Sequence, residues 1–384
     1  MLAIVAIKCG LLLLVLLGFL VPAASWIERK QSALMQDRVG ANRAEISGAR
    51  LAGLLHPLAD LVKLVSKQDL VPEGASRALF ELAPWVAVIP GIAAFAVIPF
   101  AGVYPFADES VSLVAADIDW GLLHVLLAAA LASFGAVLAG WSSNHGGARL
   151  GAVRGAAQVV SYAAPLGLSA VGVFLVFGSV KLTDMVVAQD TTLRLAGVVE
   201  AFGVAVPGWA QGFPFTIPSW GIVLQPLGFL LFLTCVLAQQ GRPPFDSSES
   251  GGELAGGYRG EYTGLRGGLF DLADLLGLLL IACLLTSIFF GGWAIPWLST
   301  DAILGGLAPF VGEALATIVC VALHLTSFLV KVLAMVWLQL LIRGSLPRVR
   351  YDQLMDLCWK RILPLSLANV FLTASAMVLV GAVG

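Results

Sequence analysis

Charge in this chain is confined to a few stretches. Of its 22 Lys and Arg, 18 fall in four segments, Arg29–Arg77, Arg149–Arg154, Arg242–Arg266 and Arg343–Arg361. These segments alternate with long hydrophobic runs that carry almost no charge. Of the stretches between the other pairs of runs, those around Asp108, Glu109, Asp117 and Asp119 and around Asp301 hold acids and no base, and 179–220 has only Lys181 and Arg194 as bases. This is the positive-inside pattern of a polytopic membrane protein, and it assigns the basic segments to the cytoplasmic side. Composition agrees: 59% of residues are hydrophobic and 12% are charged, whereas a soluble domain carries about 25% charge.

A bilayer core of about 30 Å needs roughly 20 apolar residues per helix. Eight runs qualify, at about 3–25, 82–103, 121–141, 153–178, 221–240, 272–292, 311–341 and 361–382. Lipid cannot satisfy unpaired backbone groups, so the runs are read as helices. The expected fold is an all-α polytopic membrane protein: one domain over 1–384, eight transmembrane helices, both termini periplasmic. Cytoplasmic loops are expected at about 26–81, 142–152, 241–271 and 342–360. Lys8, the run to Val21 and then Pro22 to Ser25 have the outline of a cleaved signal. The basic residues Arg29, Lys30, Arg38 and Arg43 after that run hold its end in the cytoplasm, so it is read as the first span.

In the first loop, Leu51, Leu54, Leu55, Leu58, Leu61, Val62, Leu64 and Val65 recur at helical spacing opposite Asp60, Lys63 and Lys67. That pattern predicts an amphipathic helix lying at the membrane interface. Pro72, Pro84 and Pro90 are expected to break the approach to the second span. The outer segment 190–220 holds Pro207, Pro214 and Pro218 among Trp209, Phe213, Phe215 and Trp220, which suggests a partly buried or re-entrant stretch. No internal repeat is visible, so the inverted-repeat signature of many transporters is missing.

The five cysteines and four histidines show no metal-ligand spacing, so no metal site is expected. There is no Gly-rich dinucleotide fingerprint and no Walker sequence. The chemistry is expected at the basic face. Asp271 and Asp274 lie one helical turn apart at the mouth of an apolar run, and Glu249, Glu253 and Glu261 precede them. Carboxylates beside low-dielectric surroundings, and beside one another, exchange protons nearer neutral pH. Lys331 sits in the middle of the run Ala314–Leu341, where a lysine costs about 2.5–3.5 kcal/mol. It should face an acid or a hydrated cavity. His324, seven residues earlier, reads as a satisfied core histidine. Arg348 and Arg350 read as topogenic anchors, and Lys8 snorkels.

Six stretches are distinctive: ERKQSALMQDRVGANR, HPLADLVKLVSKQDLVP, LFELAP, RGAAQVVSY, RPPFDSSESGGELAGGYRGEYTGLRGGLF and PRVRYDQLMDLCWK. From about Trp26 to Leu363 the chain resembles the H-type membrane subunits of respiratory NADH–quinone oxidoreductase (complex I). The resemblance implies a subunit at the junction of the hydrophilic redox arm and the antiporter-like arm, in a bacterial inner membrane. It implies quinone as substrate, no redox centre in this chain, and iron–sulfur clusters and FMN in partner subunits. No nucleic-acid partner is expected. It also implies that Arg29, Arg38, Asp60, Phe80, Arg242, Phe245 and Asp246 line or dock the quinone chamber. Glu249, Glu253, Glu261 and Asp274 would begin a proton path, joined on the reading of the residues by Asp271 and Lys331.

The chain departs from the family pattern at four places. Ala163 follows Ser161-Tyr162 where the family has glutamate. Gln239-Gln240 follows Ala238 where the family usually has Ala-Glu. Gly251 replaces a glutamate, and Asp271 replaces an apolar residue. The expectation is a proton path rerouted through Asp271 and Asp274, or a weaker one. Three other readings stay open: the equivalent component of a membrane-bound hydrogenase or formate hydrogenlyase, a stand-alone proton-coupled secondary transporter, and a structural anchor.

Overall fold

A computed structural model describes residues 2–45, 48, 50–106, 109–194, 216–249 and 256–383. Helix α1 runs over 2–35, as Leu2–Val15, a π-helical turn at Leu16–Leu20, and Val21–Met35. The next helices are α2 (His56–Ser66), α3 (Arg77–Phe95), α4 (Gly121–Ser142), α5 (Gly146–Phe177) and α6 (Leu182–Gln189). After these come α7 (Pro226–Gln239), α8 (Gly264–Phe289), α9 (Thr300–Val311) and α10 (Glu313–Ser345). Helix α11 covers 351–383, with a π-helical turn at Cys358–Ile362. Two small antiparallel strand pairs, Val103–Phe106 with Glu109–Ser112 and Thr192–Arg194 with Thr216–Pro218, and short helical turns at Leu51–Gly53, Gly221–Leu224 and Gly257–Arg259 complete the described secondary structure. Pro207, Trp209, Phe213, Pro214 and Phe215 of the outer segment lie outside the described residues, as does Asp108.

Among the described residues, seven helices are long and apolar enough to cross a membrane: α1, α3, α4, α5, α8, α10 and α11 with its leading turns. The eighth expected span is a 14-residue helix, α7, preceded by a short helical turn at Gly221–Leu224. Together 221–239 reach about 28 Å at 1.5 Å per residue, close to the thickness of a hydrocarbon core. The break between them falls at Gln225, whose φ of −138° and ψ of 67° are not helical. Pro226 causes it, because its ring disfavours a helical residue in front.

Helix α8 is the central element, and every residue of Leu278–Phe289 is buried. By contrast α1 exposes Ile7, Leu11, Leu14 and Phe19, and α11 exposes Phe371, Leu372 and Val378. Those are lipid- or partner-facing surfaces. Where helices cross, small residues let backbones approach. A Cβ on Gly135 of α4 would lie only 2.6 Å from Cβ of Ala87 on α3.

Helix α3 runs without a break through Pro84 and Pro90, against the expectation that they interrupt it. Proline leaves the carbonyl four residues earlier without its N–H partner. For Pro84 that carbonyl is Phe80 O, and Tyr262 Oη donates to it at 3.2 Å. In α5, Pro165 frees Ser161 O, and Cys358 Sγ lies 3.3 Å from it as donor. Neighbouring elements thus supply what the helix lost, the usual way prolines are tolerated in membrane helices. Tyr262→Phe keeps the ring stack on Phe80, whose centroid is 4.0 Å away, but strands that carbonyl. An orphaned buried acceptor costs about 1–3 kcal/mol, so the thermal midpoint of the detergent-solubilised assembly should fall. An unchanged midpoint would show that the carbonyl has found water.

The amphipathic helix forms as α2, but from His56 and not from Leu51: Leu51–Gly53 is a separate turn whose Leu51 and Ala52 have positive φ. Leu58, Leu61, Val62 and Val65 are exposed on it, as an interfacial helix requires. It is tied to α1 by an Arg29–Asp60 ion pair and, just ahead of it, by Trp26 Nε1 donating to Ala52 O at 3.1 Å.

Candidate functional site

Helix α1 continues well past the expected end of the first span, to Met35, so Ser25, Glu28, Arg29 and Ser32 are carried over the basic end of the bundle. There they form one wall of a cavity of about 610 Å³. Small side chains shape its deep part: Ala87 and Gly91 of α3, Ala129, Ala132, Ser133 and Ala136 of α4, and Gly277 of α8. The mouth is charged, with Arg38, Arg242, Glu249, Arg259, Asp271, Asp274 and Arg343. A half-apolar slot with a few convergent polar groups is the ordinary form of a small-molecule site.

The loop after α7 is held over this cavity by buried polar contacts. Gln158 of α5 donates from Nε2 to Ala238 O at 2.6 Å and to Phe245 O at 2.8 Å, and accepts from Ser247 Oγ. Val349 N donates to Pro244 O at 3.0 Å, and Arg348 pairs with Asp246 at 3.4 Å. Arg348 therefore grips the loop after α7 as well as following the end of α10.

Charged groups at the mouth form a continuous chain. Arg343 pairs with Glu28, and Arg242 lies 3.9 Å from Glu28 and 4.0 Å from Asp274. Arg259 contacts Asp274, Asp271 at 2.9 Å and Glu249 at 2.6 Å. Nη1 of Arg242 is buried and has no hydrogen-bond partner among the described residues. Burial pushes the Glu249 carboxyl up to about 6, against the pull of Arg259. Burial also raises Asp246, with Arg348 opposing. Tyr258 is held well above the ordinary phenol value by burial and by Glu249.

The sequence-predicted residues separate into groups. Arg29, Arg38, Arg242, Glu249, Asp271 and Asp274 line the cavity together. Asp60 stands behind Arg29 as its ion-pair partner. Phe80, Phe245 and Asp246 are buried beside the wall rather than on it. Glu261 is half-buried and off the cavity, and Glu253 lies outside the described residues.

Lys331 is remote from the acids of the cavity mouth and pairs with none of them. Its ammonium donates to Phe290 O at 2.8 Å, Gly292 O at 3.0 Å and Ala294 O at 2.5 Å, with the Trp220 ring at 4.6 Å. The charge expected to face an acid or a hydrated cavity is met by carbonyls at the C-terminal end of α8, where the helix dipole favours a cation, and by an aromatic face. His324 is buried and bonded to Tyr104 Oη.

Residues 7–374 match the family model described as NADH dehydrogenase. The chain is 39% identical over 352 residues to an H subunit of NADH-quinone oxidoreductase from Geobacter metallireducens, covering 92% of this chain and 90% of that protein. It is 39% identical over 365 residues to the corresponding H subunit from Geobacillus thermodenitrificans, covering 95% and 92%. For the one from Bdellovibrio bacteriovorus the identity is 35% over 372 residues, covering 92% and 91%.

The chain belongs to the family of NADH–quinone oxidoreductase H subunits. Of the positions read in the sequence as departures from the family pattern, Gln239, buried in the wall, and Asp271, at the mouth, lie on the cavity. Ala163 is exposed and off the cavity, and Gly251 lies outside the described residues. The residue of this NADH–quinone oxidoreductase component that its sequence does not advertise is Arg259. An arginine amid acids and glycines reads as a solvated charge, yet it is the hub of the ion-pair chain.

Proposed function

We propose that this chain is the membrane component of a proton-translocating NADH:quinone oxidoreductase that forms part of the quinone chamber and the first step of the proton path. The observation that carries this reading is one cavity that joins an apolar slot to a charged mouth. The slot of alanines and glycines suits an isoprenoid tail. Arg242, a guanidinium on the cavity lining that stands beyond hydrogen-bonding distance of both neighbouring acids, suits a quinone carbonyl. The carboxylates beside it suit uptake and release of protons. Quinone chemistry changes charge in the chamber, and a change of charge shifts the proton affinity of groups a few ångströms away.

On this reading the basic end faces the bacterial cytoplasm and both termini are periplasmic. The cavity mouth docks the iron–sulfur subunits of the hydrophilic arm, which also carries FMN. The opposite flank meets the small and antiporter-like membrane subunits. The names of the relatives do not favour the hydrogenase alternative. A stand-alone transporter fits poorly, because the charged groups gather at one end of the bundle rather than at its middle.

The experiment is co-purification of the tagged chain in mild detergent. The expected set is iron–sulfur proteins, a flavoprotein and antiporter-like membrane subunits, with NADH-driven quinone reduction. A chain that purifies alone, or with a nickel–iron hydrogenase protein, overturns the reading.

A further inference from the structure

Four carboxylates and three guanidiniums make up the ion-pair chain at the cavity mouth: Glu28, Asp274, Asp271 and Glu249 against Arg343, Arg242 and Arg259. One negative charge is therefore in excess. It falls at the Arg259 end, where a single guanidinium faces three carboxylates. Glu249, Asp274 and Arg259 each have less than a third of the side chain exposed. Asp271 is 64% exposed, so the excess charge weighs most on Glu249, whose carboxyl burial and the neighbouring Asp274 push up to about 6 against the pull of Arg259.

Arg259 reaches all three because of the local backbone. It ends a short turn, Gly257–Arg259, entered through two glycines with positive φ, 98° at Gly256 just before it and 56° at Gly257, its first residue. A Cβ at 257 would lie 2.0 Å from Ser248 O. With no side chain there, the turn presses against residue 248 and brings Arg259 onto Glu249. Tyr258 Oη then accepts from Arg259 Nε at 3.2 Å, and Asp271 and Asp274 come to the same guanidinium from α8.

We propose that Arg259 is a positioning residue for proton transfer, binding Glu249, Asp271 and Asp274 into one unit that holds a single exchangeable proton. This rests on the function proposed above and adds to it the group that sets when the proton binds. The charged groups facing the unit are Asp246 and Tyr258 from the loop, Arg242 after α7, Glu28 from α1 and Arg343 from α10. The sign follows from charge alone. Removing Arg259 takes a cation from beside three carboxylates and strengthens their hold on a proton. Removing Asp271 takes away an anion and weakens it.

The test uses the whole complex in sealed membrane vesicles, with protons moved per electron and quinone reduction measured across a pH series. Arg259→Gln is expected to move the profile to higher pH by about 1–2 units, the size of shift an adjacent opposite charge produces. Arg259→Lys, which keeps the charge, is expected to stay near the parent profile. Asp271→Asn is expected to move it to lower pH, and the double variant R259Q/D271N to return it toward the parent. A profile unmoved in R259Q, or R259K displaced as far as R259Q, overturns the proposal. If R259Q does not assemble, D271N decides: an unmoved or alkaline profile overturns it. Failure here is separable from failure of the function, since a complex that reduces quinone and pumps with an unmoved profile rejects only the role of Arg259.

Discussion

Arg242→Ala is expected to cut kcat/KM for quinone by roughly 10- to 150-fold in the assembled complex. The side chain is only 12% exposed and stands between Glu28 and Asp274, at 3.9 and 4.0 Å. Neither distance is a hydrogen bond, and Nη1 is unpartnered among the described residues. The guanidinium gives charge to the two acids without a hydrogen bond to either, and because Arg242 lines the cavity its donors other than the buried Nη1 are the ones expected to meet a bound carbonyl. A hydrogen bond involving a charged group is worth about 1.5–3 kcal/mol, and each 1.36 kcal/mol is tenfold in rate. Arg242→Lys should recover part of the loss, because the ammonium restores charge without the planar fork. The measurement is steady-state quinone reduction over a range of quinone concentrations in membranes with matched complex content. A loss below threefold in the alanine variant would mean that the donors of Arg242 meet water and not substrate.

The fold was legible because its main constraint is one-dimensional. A run of apolar residues of sufficient length between charged loops needs no tertiary information to be read as a helix. The amphipathic α2 was readable for the same reason, since its apolar face repeats with the helical period. Boundaries were less legible. The continuation of α1 to Met35 is polar and has no lipid signature. The persistence of α3 through Pro84 depends on Tyr262, which is far away along the chain. A proline in isolation carries no sign that its orphaned carbonyl has been satisfied elsewhere.

The site was legible in its residue types and not in its connections. Asp271 and Asp274 could be placed on one helix face by their spacing. The partner they share could not, because Arg259 sits in a separate turn whose course is set by Gly256 and Gly257. Lys331 shows the same limit. The sequence demanded that its charge be met, and acidic side chains were the visible candidates. Backbone carbonyls met it. Every residue has a carbonyl, so no residue type announces one. The small residues of the slot come from α3, α4 and α8, and a gap between three helices has no linear signature.

Gln158→Leu is expected to abolish or nearly abolish quinone reduction, although Gln158 carries no charge. It is 1% exposed, and three polar groups spend hydrogen bonds on its carboxamide: Ala238 O, Phe245 O and Ser247 Oγ. Leucine nearly matches its volume and meets none of these. Each buried polar group left unpaired costs about 1–3 kcal/mol, so the loop 238–247 would lose several kcal/mol of support, and Arg242 is on that loop. Its other anchors, Arg348 to Asp246 and Val349 N to Pro244 O, hold only the far side. The loop should then relax away from α5 and carry the guanidinium out of line with Glu28 and Asp274. Two observations separate this from simple misfolding. The variant chain should still assemble into the complex, because the helices that make the bundle are untouched. Limited proteolysis should show faster cleavage confined to 238–249. Gln158→Glu keeps an acceptor for Ser247 but loses the donor to both carbonyls, so it should resemble leucine. A glutamate variant with full activity would show that the two carbonyls do not depend on the Gln158 amide, and that the loop is held by its α10–α11 side.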